Sequence, residues 1–143
     1  AGYFKPNNQN TYFYNGEAIL QGELAPENWR IPCAEDWLLL KTYINNEASL
    51  LKSGTWIELT EGAGVQPVIS NSGLNIEAVG MWREGEYAQF QKMVGYWTVS
   101  KAENTIPEET VFFTGSNNDF VYASTIATGK SYYKGLSIRC IKE

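Results

Sequence analysis

Residues 28–44 read NWRIPCAEDWLLLKTYI, and Cys33 stands where chemistry could occur. Pro32 lies just upstream and an apolar run follows Asp36, so Cys33 occupies the position before a helix. That position ordinarily holds Ser, Thr, Asp or Asn, whose side-chain oxygen accepts an orphan backbone N–H. A thiol accepts poorly, yet at a helix N-terminus the dipole favours its anion. Cys33 is therefore open to three readings: nucleophile, metal ligand or half of a disulfide.

Composition narrows the choice. The 143 residues contain no histidine, which removes Ser–His–Asp and Cys–His catalysis, His-containing zinc sites and the usual neutral-pH proton shuttle. Two cysteines, Cys33 and Cys140, cannot build a four-cysteine zinc site, but they can make one disulfide in an oxidising compartment. A lone nucleophile would need a carboxylate or lysine as its base, a poor substitute.

A second group of candidates could recognise rather than react. The stretch GSNNDFVYASTIATGKSYYK (115–134) is rich in Asn, Asp, Ser, Tyr and Gly. Tyr supplies rigid area with a polar tip, while Ser, Asn and Gly adapt their hydrogen bonding. Asn117, Asn118, Asp119, Tyr122, Ser131, Tyr132 and Tyr133 are the candidate ligand-binding residues here. Trp82, followed by the charged tip REGE, joins them as the tryptophan expected to be partly exposed. The bland alternative is ordinary turn residues and cross-strand aromatic pairs.

These residues need elements to position them. A chain of this length suits one compact domain spanning 1–143. Five Trp, nine Tyr and six Phe suit a packed core. YFKPNNQNTYFY (3–14) reads as a hairpin or N-terminal strand, and NGEAILQG (15–22) as a short helix. The firmest helix runs over 34–46: Trp37, Leu40 and Ile44 recur at helical spacing and Asn45-Asn46 end it. In that frame Cys33 is the N-cap and Asp36 the third helical residue, the place of a capping box. Beyond residue 50 recurrent glycines mark turns. TVFF (110–113), FVYAST (120–125) and LSIRCIK (136–142) read as strands, with Cys140 facing inward. The expected fold class is α+β, two helices packed on a twisted, mainly antiparallel sheet with long glycine-rich loops.

The ordered segments PENWRIPCAEDWLLL, LLKSGTW, NSGLNIEAVGMW, GYWTVSKAEN and GLSIRCIKE resemble the Fibrobacter succinogenes major paralogous domain. That family carries a P-x-G-W-R-[LI]-P-[TS]-x-x-E-W segment, a glycine-rich middle, G-Y-W-W-S-S-T-E and a final G-[FY]-S-V-R-C-V. The likeness runs from about residue 12 to the end. It implies a C-type-lectin-like fold and an exported lipoprotein, surface or pilus-associated protein of Bacteroidetes-type bacteria. It also places Trp29, Trp37, Trp56 and Trp97 in the core. The family's first cysteine is absent from Ala25-Pro26-Glu27-Asn28-Trp29, and Cys33 stands where Thr or Ser is usual. A Cys33–Cys140 disulfide is the expected pairing, with two separate buried thiols as the alternative.

Within the lectin-like superfamily, calcium-bound sugar sites use a Glu-Pro-Asn or Gln-Pro-Asp loop and a Trp-Asn-Asp strand. This chain has Gln66-Pro67-Val68, with Val68 where a carboxylate should stand, so neither calcium nor another metal is expected. Formylglycine-generating enzymes on that scaffold need paired thiols late in the chain, and only Cys140 is there. No enzyme and no cofactor is expected. The formal charge of −5 lacks a basic run and disfavours nucleic acid, and no apolar stretch is long enough to span a bilayer. The opening AGYFKPNN has no leader, so any export signal is expected to have been removed or to lie upstream.

The expectation is a secreted or cell-surface, non-catalytic adhesion module that binds a glycan or protein through its C-terminal loop and strand surface. Two alternatives share the fold: a variable protein of a diversity-generating retroelement, and a purely structural module of a surface assembly.

Overall fold

A computed structural model describes residues 2–7, 10–57, 65–68, 72–102, 107–115, 121–123 and 134–143, with side chains left aside at 65–68, 108–110 and 121–123. The chain opens with a hairpin of β1 (Tyr3–Phe4) and β2 (Phe13–Tyr14), in which Tyr3 pairs with Tyr14 and Phe4 with Phe13. Helix α1 (Gly16–Leu20) follows, capped by Asn15, whose Oδ1 accepts the Ala18 N–H at 3.0 Å. β3 (Trp29–Arg30) leads into α2 (Ala34–Tyr43), and a 3-10 turn at Ala48–Leu50 follows. α2 stops as expected at the two asparagines. Asn45 and Asn46 take left-handed backbone (φ 52° and 65°), which asparagine tolerates better than other side chains.

The rest is a series of short antiparallel pairings. β4 (Gly54–Ile57) pairs with β5 (Val65–Val68), and β6 (Met81–Arg83) with β7 (Glu86–Ala88). Glu84 and Gly85 join β6 to β7 with positive φ at both positions, matching the twist of a tight hairpin. Among the described residues the largest sheet has three strands in the order β10-β9-β8, from β8 (Met93–Val99), β9 (Pro107–Thr114) and β10 (Val121–Ala123). Finally β11 (Ile141–Lys142) returns to pair with β3, Ile141 opposite Arg30.

This corrects the expected fold class. The chain is mostly β, and its strands form several small antiparallel sheets among the described residues. It is not two helices laid on one twisted sheet, because α1 is a single short turn-and-a-half and only α2 is a helix of useful length. The frequent glycines and left-handed Asn, Glu and Gln positions reverse the chain before strands can lengthen.

β8 organises the interior. Six of its seven residues are buried, on both faces. Val94 and Tyr96 face a cluster with Trp37, Ile44, Trp56, Ile76 and Phe113, whereas Trp97 and Val99 face one with Ile19, Ile31, Met81 and Leu136. Trp97 also donates its indole N–H to the Tyr14 carbonyl at 2.7 Å, fastening the N-terminal hairpin to β8. Trp37, Trp56 and Trp97 are buried as expected, but Trp29 is 42 % exposed. It sits on the two-residue β3, where it pairs with Lys142 of β11.

Gly95 is the tight point of β8. A Cβ there would lie 2.6 Å from Phe112 Cε1 and 3.0 Å from Leu136 Cδ2. Gly95→Ala is expected to destabilise the domain by about 1–3 kcal/mol through overpacking, seen as a lower urea midpoint with unchanged m-value.

Candidate functional site

The N-terminus of α2 answers the question of Cys33. The Cys33 backbone N–H donates to Asp36 Oδ2 at 2.8 Å, the reciprocal arm of a capping box, and its thiol donates to the same oxygen at 3.2 Å. Arg30 grips Asp36 through two bonds, Nη1 to Oδ2 at 2.6 Å and Nη2 to Oδ1 at 2.8 Å. The Arg30 hydrogen bonds hold the Asp36 carboxyl down at about 2 despite some burial. Burial raises the Cys33 pKa, and hydrogen bonding to the neighbouring carboxylates opposes the thiolate further. The thiol is thus a hydrogen-bond donor in a structural knot, the opposite of an activated nucleophile.

The expected Cys33–Cys140 disulfide is not formed; both cysteines are free thiols. Cys33 is buried with its sulfur turned to Asp36, while Cys140 packs against the cluster around Trp97 and Leu136. Burial raises the Cys140 pKa as well.

Among the described residues three clefts matter here, and the first two touch this knot. The largest, of about 640 Å³, is mostly apolar and runs between α2 and the last strand, with Trp37, Leu39, Leu40 and Tyr43 on one wall and Cys140 and Ile141 on the other. Leu39 is 73 % and Tyr43 87 % exposed, so α2 carries a second apolar stripe beyond the one buried under Trp37 and Ile44. A charged cleft of about 510 Å³ lies beside Arg30, Cys33, Glu35, Asp36 and Lys101. The third, of about 230 Å³, is lined by polar side chains that include Asn75, Glu77, Ser137 and Arg139. Arg139 is shared by the first and third. Among the described residues no group of three acidic or thiol side chains could hold a metal ion.

Of the expected binding residues, Trp82 is half-buried on β6, its indole stacked on Phe4 with centroids 4.9 Å apart and planes at 5°. Its backbone exchanges two 2.9 Å hydrogen bonds with Gly135, just after the 115–134 stretch. Tyr122 lies on β10 opposite Val111. Asn117, Asn118, Asp119, Ser131, Tyr132 and Tyr133 lie outside the described residues. Sequence reasoning missed the α2 stripe and the polar cleft. The helical spacing of Trp37, Leu40 and Ile44 marked the inner face but assigned nothing to the opposite side, where Leu39 and Tyr43 are exposed. Asn75 and Glu77 carry only the faint signal of alternation with Ile76 and Ala78.

The Fibrobacter succinogenes major domain family matches residues 4–142, nearly the whole chain. The chain belongs to that family. Among curated proteins and among solved structures, nothing matches it. The family segment WRIPCAEDW of this member of the Fibrobacter succinogenes major domain is therefore the Arg30–Asp36–Cys33 knot just described.

Two outcomes follow from the knot. Asp36 is more acidic folded than its ordinary 3.8, so its stabilisation is complete above pH 4 and fades as pH falls through about 2. Asp36→Asn should cost about 1–2 kcal/mol at pH 7 by urea unfolding, and the gap from wild type should close below pH 2. Alkylation of the denatured chain without reductant should add two adducts by mass spectrometry; none would restore the disulfide.

Proposed function

We propose that this chain is a non-catalytic ligand-binding module of an exported bacterial surface protein, acting in adhesion. The observation that carries the reading is the pair of clefts sharing Arg139: an apolar one walled by exposed Leu39 and Tyr43, and a polar one rimmed by Asn75 and Glu77. Pockets that join apolar walls to a few convergent polar groups are the common form of ligand sites. Three displaced titratable groups are absorbed in structure, which supports binding over catalysis. Asp36 is held by Arg30, Cys33 by Asp36, and Lys52, lowered to about 8 by burial, donates to the Thr114 carbonyl at 2.7 Å and lies over Trp56. Family membership favours an exported, surface-displayed setting. Trp82 and the 115–134 stretch extend the same function, with the stretch pinned at its two ends through Gly115 to Lys92 and Gly135 to Trp82.

A glycan and protein array probed with the intact chain tests this. Specific binding is expected, weakened at least about tenfold by Tyr43→Ser or Leu39→Ser, whose exposure leaves the fold intact. No ligand together with tight self-association would instead make the chain a structural module.

A further inference from the structure

The polar cleft is built from two extended segments facing each other across Tyr96. In the first, Asn75, Glu77 and Val79 line the cleft while Ile76 and Ala78 alternate into the core. Ile76 is locked in place: its N–H donates to Leu51 O and its carbonyl accepts from Ser53 N, both at 2.8 Å. In the second, Ser137 and Arg139 come from the last stretch of chain, and Thr11 closes one side. The floor is rigid, since the Tyr96 ring stacks on Trp37 with centroids 5.4 Å apart. Burial keeps the Tyr96 phenol protonated although Arg139, hydrogen-bonded to it, pulls the other way. Arg139 also donates to the Leu74 carbonyl, and a guanidinium with five donors has more to offer.

Ser137 is the anomaly. Its backbone is fully used, with N–H to Gly95 O at 2.9 Å and its carbonyl accepting from Trp97 N at 3.1 Å. The residue is 94 % buried, and among the described residues its Oγ has no hydrogen-bond partner. A buried hydroxyl left unpaired costs stability, so its retention beside a cleft points to a partner that arrives from outside. The Ser53 and Thr114 hydroxyls are also buried without partners, but they line none of the three clefts.

We propose that this cleft binds one ring of a neutral, hydroxyl-rich ligand, a sugar unit, with Glu77 accepting, Arg139 donating, and Ser137, Asn75 and Thr11 doing either. The proposal rests on the recognition reading above and names its ligand. Neutrality follows from the charges: an anion at Arg139 meets Glu77, and a cation at Glu77 meets Arg139. Hydroxyls, being donor and acceptor at once, satisfy both. The size limits the occupant to one unit, since about 230 Å³ falls below the roughly 300–1,000 Å³ of pockets for larger ligands. The apolar cleft beyond Arg139 would take whatever group the ring is joined to.

Saturation-transfer NMR of the intact chain with the methyl glycosides of glucose, galactose, mannose and N-acetylglucosamine tests it. At least one is expected to bind saturably, and Glu77→Gln should weaken it roughly tenfold by removing a charged acceptor. Ser137→Ala should also weaken binding while leaving the thermal midpoint equal or higher, which a purely structural serine would not do. No saturable glycoside, or one indifferent to both substitutions, overturns the proposal. An array ligand sensitive to Tyr43→Ser but not to Glu77→Gln overturns the sugar cleft and leaves the recognition function standing. Silence in both experiments removes both.

Discussion

The burial of β8 on both faces is the constraint on which the rest depends. A strand with Val94 and Tyr96 on one side and Trp97 and Val99 on the other must be covered twice. One cover comes from α2 and the β4 region through Trp37 and Trp56; the other comes from α1, β6 and the last stretch through Ile19, Met81 and Leu136. The chain's ends are drawn in by the same demand. Leu136 is fully buried, its N–H donates to Tyr14 O at 3.0 Å, and Tyr14 N returns a 2.8 Å bond to Leu136 O. The N-terminal hairpin, β8 and the final stretch thus form one cooperative unit, although much of the chain separates them in sequence.

This arrangement decides where the clefts can be. Tyr96 is packed into the first cluster by Trp37 and Phe113, so its hydroxyl end meets the layer edge where Arg139 and Glu77 lie. α2, held over that cluster by Trp37 and Ile44, is left with Leu39 and Tyr43 outward. A helix with one buried stripe is usual, and apolar residues on its other side need a different explanation. Here they wall the largest cleft.

Local features were the most legible in the sequence. The α2 entry is written in Cys33 and Asp36, its end in Asn45 and Asn46, and the first hairpin in its aromatic ends. Each depends on residues within a few positions, so local chemistry suffices. Strand existence at 110–113 and at Val121–Ala123, within the expected 120–125, was legible too, but the division into small sheets was not. Glycines announce turns without saying which strands pair. The Cys33 sulfur illustrates the same limit. Two thiols in a chain suggest a bridge, but the competing partner, Asp36 fixed by Arg30, depends on β3 running directly into α2.

The sequence by itself determined that histidine chemistry and multi-cysteine metal sites are unavailable, that Cys33 caps the start of α2, and to which family the chain belongs. These follow from residue types and short spacings. Only the tertiary structure decided that Trp29 is exposed while Trp37, Trp56 and Trp97 are not, that Ser137 is buried with its hydroxyl unpaired, and that Asn75 and Glu77 face Arg139. The physical reason is common to all three. Burial and convergence are set by which distant segments pack across β8, and no local pattern encodes that choice.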